Sequence, residues 1–131
     1  LIVSLTLTAA KELDAAVETA TANCQTYTQA LEVALGAILP LAARHMFLAT
    51  EPAANDPRVA AVYASQTRDL AHDIDMAKGE GAFDPHVPTE WIVQAYENLI
   101  YAGWAMVAAG DATPKQAAAL AWRTLTQGTA K

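Results

Sequence analysis

An all-α fold of about six helices is predicted by three observations: alanine- and leucine-rich stretches recur with helical spacing, β-branched alternation is scarce, and Gly and Pro fall at a few discrete places. The chain has 131 residues and 53% hydrophobic content, enough for one core, so a single domain over residues 1–131 is expected. Fourteen acidic against eight basic side chains leave a net charge of −6. That balance disfavours direct contact with nucleic-acid phosphates and with an anionic membrane surface. No apolar run is long enough to span a bilayer. The lone cysteine, Cys24, excludes an internal disulfide, and the opening Leu1-Ile2-Val3-Ser4-Leu5 lacks a signal-peptide pattern. Both point to a cytoplasmic location.

The first helix is expected from about Ile2 to Ala22, with Leu5, Ala9, Leu13, Ala16, Val17 and Ala20 on its inward stripe and Lys11, Asp14 and Glu18 outside it. A second begins near Cys24 and aligns Tyr27, Leu31, Ala34, Leu35 and Ile38. Pro40 ends it, because proline removes a backbone donor and restricts Leu39 before it. Leu41 to Leu48 then makes a short third piece, followed by a loop from Thr50 to Asn55.

Asp56-Pro57 signals a fourth start, since the aspartate caps free N–H groups and the proline's missing donor costs nothing in the first turn. This helix reaches about Lys78. Val59, Val62, Tyr63, Leu70 and Ile74 face inward with the amide Gln66 among them, while Arg58, Ser65, Arg68, Asp69, His72 and Asp75 cover the other side. Gly79 and Gly81 close it. Pro88 opens the fifth helix and Gly110 ends it; Thr113-Pro114-Lys115-Gln116 supplies a cap, a first-turn proline and a capping-box glutamine for the sixth.

Between Pro88 and Gln127 only Glu90, Glu97, Asp111, Lys115 and Arg123 carry charge. Helices apolar on nearly every side need neighbours on every side, and a domain of this size has little interior to surround two of them at its end. A second copy of the chain is the expected neighbour. At about 100° per residue, Trp91, Ala95, Asn98, Ala102, Ala105 and Ala109 share one face of the penultimate helix; Val93, Tyr96, Ile100, Gly103, Trp104 and Val107 share the opposite one. Small residues let a helix approach closely, so the dimer interface is assigned to Trp91, Ala95, Ala102, Ala105 and Ala109, joined by Leu120, Ala121, Thr124 and Leu125 of the last helix. The aromatic face then belongs to the subunit's own core or cavity.

The run Gly81-Ala82-Phe83-Asp84-Pro85-His86-Val87-Pro88, leading into two apolar helices joined by Gly110-Asp111, resembles the C-terminal half of tetracycline-repressor (TetR) family regulators, most clearly over Gly79 to Gly128. The resemblance implies a homodimer in which the last two helices of each subunit form a four-helix bundle. It also implies a small-molecule cavity enclosed by the earlier helices, whose occupation changes operator affinity. The family's DNA-reading helix-turn-helix has no counterpart in this sequence, so operator contact is expected only through an upstream domain outside it.

Residues that combine inward direction with a hydrogen-bonding tip are the candidates for such a cavity: Tyr63, Gln66, Tyr96 and Trp104, with Met46 as an adaptable wall. For each, the competing reading is a core residue satisfied by a nearby carbonyl or hydroxyl. Glu97 is expected as an exposed helix-surface carboxylate. Asp69, His72 and Asp73 have metal-ligand spacing, but they coincide with the solvated face of the fourth helix, and no metal or other cofactor is expected. No nucleophile turn or phosphate-cradling loop is present and Cys24 has no recognisable base, which argues against an enzyme. The expected function is therefore ligand sensing and dimerisation within a transcriptional regulator, with a free-standing helical carrier of a hydrophobic small molecule as the alternative.

Overall fold

The computed structural model describes residues 1–41 and 55–130, and these are all-helical. Five α-helices and one turn of 3-10 helix follow in order: α1 (Ile2–Thr21), α2 (Tyr27–Ile38), the 3-10 turn (Leu39–Leu41), α3 (Pro57–Gly79), α4 (Thr89–Ala108) and α5 (Pro114–Gln127). The short helix expected over Leu41 to Leu48, apart from Leu41 itself, most of the loop after it, and Met46 lie outside the described residues.

Local chemistry sets the boundaries. Helix α2 starts at Tyr27 rather than near Cys24, because the Thr26 hydroxyl accepts the Gln29 N–H at 3.0 Å as an N-cap. Its end follows from Pro40: the chain leaves α2 after Ile38 and tightens into the 3-10 turn, burying Leu39 completely. Asp56 caps α3 by accepting the Arg58 N–H at 2.9 Å, with Pro57 in the first helical position. The Thr113–Gln116 capping box on α5 is complete, the Gln116 backbone N–H donating to the Thr113 hydroxyl and the Thr113 backbone N–H donating to the Gln116 side-chain Oε1.

Helices α3 and α4 close in the same way. Gly81 at φ +89° and Gly110 at φ +78° turn the chain left-handed, and the next residues donate back, Ala82 N–H to the Ala77 carbonyl and Asp111 N–H to the Met106 carbonyl. Gly79 itself is the last helical residue of α3 and needs no such conformation.

One cluster of buried side chains ties the helices together. Leu31, Leu35 and Ile38 of α2 meet Ile74 and Ala77 of α3, Ile92, Val93, Tyr96 and Trp104 of α4, and Ala117 and Ala121 of α5. Helices α2 and α4 run in the same direction and are joined by two buried hydrogen bonds: Tyr96 Oη donates to the Leu31 carbonyl at 2.7 Å and Trp104 Nε1 to the Ile38 carbonyl at 3.0 Å. The second of these satisfies a carbonyl at a helix end, where in-helix partners run out. Gly103 lets the 3-10 turn approach α4, since a Cβ there would stand 2.5 Å from Leu39 Cδ1.

Helix α3 runs against both, and polar groups fix its register. The Glu80 carboxylate at its C-terminal end accepts the Tyr27 and Thr28 N–H groups and the Thr28 hydroxyl at the start of α2. Across the α3–α4 connection, Lys78 Nζ donates to the Val87 carbonyl at 2.7 Å and the Thr89 hydroxyl donates to Asp75.

Helix α1 departs from its expected stripe. Thr6, Ala9 and Ala10 are its buried residues, whereas Leu5 is 38% exposed and Ala20 is exposed as well. The Thr6 hydroxyl donates to the Ile2 carbonyl of its own helix at 2.8 Å, so it needs no outside partner and enters the interior without an unmet polar group.

Candidate functional site

Helix α4 divides into two faces along its whole length. Val93, Tyr96, Gly103 and Trp104 are buried in the chain's own core. On the opposite side Trp91 is 71% exposed, and Ala102, Ala105 and Ala109 are exposed with it. Helix α5 continues that surface with Leu120 at 54% exposure and with half-buried Thr124 and Leu125. Ala121 does not belong to it: at 4% exposure it is packed inside the chain, so the residue assigned from helical spacing to a partner is a core residue. Tyr101 and Met106 widen the exposed apolar area beyond the residues the spacing singled out. A groove of about 560 Å³ runs along this side, with Trp91, Ala95 and Asn98 of α4, Leu125 of α5, and Phe83 and Val87 of the preceding turn among its walls.

A second groove, of about 440 Å³, opens on the other side of α4, between it and helices α1, α2 and α3. Its apolar walls include Leu13 and Val17 of α1, Leu31 of α2, Leu70 of α3 and Ile100 of α4. The volume falls within the range of small-molecule sites, about 300–1,000 Å³, and the walls mix apolar side chains with several carboxylates.

Two of the residues expected to bind a ligand meet here and two do not. Gln66 and Tyr96 line the groove. Gln66 Nε2 donates to Asp14 Oδ1 at 2.9 Å, linking α3 to α1, and the Tyr96 hydroxyl is committed to the Leu31 carbonyl. Tyr96, only 3% exposed, therefore gives the groove no free hydroxyl, and its burial, with Asp73 nearby, pushes that hydroxyl's pKa well above the ordinary phenol value. Tyr63 lies outside the groove's walls and is 41% exposed; burial of its remaining surface and the neighbouring Tyr101 raise its pKa. Trp104 is a buried core residue whose indole N–H serves the Ile38 carbonyl, and it does not reach the groove. Its position follows the competing reading, a polar tip satisfied by a carbonyl.

The carboxylates of the groove were not visible as a group in the sequence. Asp14 and Glu18 of α1, Asp69 and Asp73 of α3, and Glu97 of α4 all line it. Glu97 is half-buried rather than exposed and accepts a hydrogen bond from the Thr67 hydroxyl at 3.1 Å. Burial, reinforced by Asp69 and opposed by His72, pushes the Asp73 carboxyl above its usual value. Each of these acids sits at the margin of an apolar stripe, Asp14 beside Leu13 and Asp69 beside Leu70. Only the packing of four helices shows that the margins converge. Among the described residues, no group of three or more His, Cys, Asp or Glu is arranged to hold a metal ion, and no helix is long and apolar enough to cross a membrane.

No family model, curated protein or solved structure matches this chain.

Proposed function

We propose that the chain is the ligand-sensing and dimerisation domain of a TetR-like transcriptional regulator. Two copies pair through α4 and α5 as a four-helix bundle, and a small apolar or amphipathic effector occupies the groove between α1, α2, α3 and α4. Occupation of the groove alters operator binding by an upstream DNA-reading domain. The observation that carries this reading is the two-sidedness of α4: one face closes the core and forms a wall of the groove, while the other leaves Trp91, Ala102 and Ala105 to solvent on a surface that Leu120 of α5 extends. Apolar side chains left exposed together on one side of a helix are read here as an interaction site. A free-standing carrier would use the same groove but would leave the α4–α5 surface without a purpose.

The test is a charge placed on that surface. Ala102 is exposed in the single chain, so Ala102→Arg leaves the fold intact; in the dimer it desolvates a guanidinium, at a cost on the order of several kcal/mol. Light scattering is expected to show a dimer for the unaltered chain and a monomer for the variant. A monomer before substitution, or an undiminished dimer after it, removes the interface.

A further inference from the structure

We draw no further inference here: the strongest candidate, the groove between Phe83, Trp91 and Leu125 on the outer side of α4 and α5, belongs to the surface already proposed for pairing, and nothing in the structure shows what covers it.

Discussion

Glu80 holds two distant parts of the chain together with one carboxylate. Its oxygens accept the Tyr27 N–H at 3.0 Å, the Thr28 N–H at 2.8 Å and the Thr28 hydroxyl at 2.6 Å, so the last residue of the α3 cap also caps the first turn of α2. These donors hold its pKa below the usual glutamate value of 4.5, the Thr28 hydroxyl contributing most. A depressed folded-state pKa means the stabilisation is complete above the unfolded value and is lost as pH falls through the folded one. Glu80→Ala is therefore expected to lower the thermal midpoint at neutral pH, with the gap to the unaltered chain narrowing once the solution is acidic enough to protonate Glu80 in the folded state. Midpoints measured across that range that stay a constant distance apart would refute the assignment. None of this was legible in the sequence, because the partners lie 52 and 53 residues apart. The same holds for Tyr96 and Trp104: helical spacing pointed both inward, but the carbonyls they meet lie 65 and 66 residues upstream. Both hydrogen-bonding tips are engaged by main-chain carbonyls of the same chain, while Tyr96 also lines the groove.

At the scale of the element, sequence and structure agree at three local signals, though the local Thr26 cap that starts α2 was passed over. The Asp56-Pro57 start, the break at Pro40 and the Thr113–Gln116 capping box depend on residues within one turn of each other, and all three are present as read. The α1 stripe was misplaced because a threonine bonded to its own helix behaves as a core residue, which hydrophobic spacing cannot register. Contact between elements is where Gly103 matters. Alanine there would gain up to about 1 kcal/mol of helix propensity. Its Cβ would also press on Leu39 Cδ1, inside a turn whose leucine is 0% exposed, and overpacking of this kind costs about 1–3 kcal/mol. Gly103→Ala is thus expected to destabilise by about 1 kcal/mol net in urea unfolding. A neutral or stabilising result would show that the 3-10 turn yields at no cost.

Over the whole molecule, the faces of α4 were legible and the groove was not. Small against bulky residues on one helix told the covered side from the open side, and burial follows that division from Val93 to Trp104. The groove needs α1, α2, α3 and α4 in place before its walls come together. The proposed pairing also makes stability a property of two chains rather than one. The thermal midpoint of the unaltered protein is expected to rise with protein concentration, by mass action, while that of Ala102→Arg stays level. Midpoints independent of concentration in both would count against pairing through α4.

The two hydrogen bonds from α4 to α2 have a mechanical meaning. A rod held to a plate by one dowel still swivels; held by two, set two helical turns apart, it neither swivels nor rolls. Tyr96 and Trp104 are those dowels, and they enter α2 from the side of α4 opposite Trp91 and Ala102. The compass bearing of the outer face is thereby set from within, by two carbonyls that the outer face never touches.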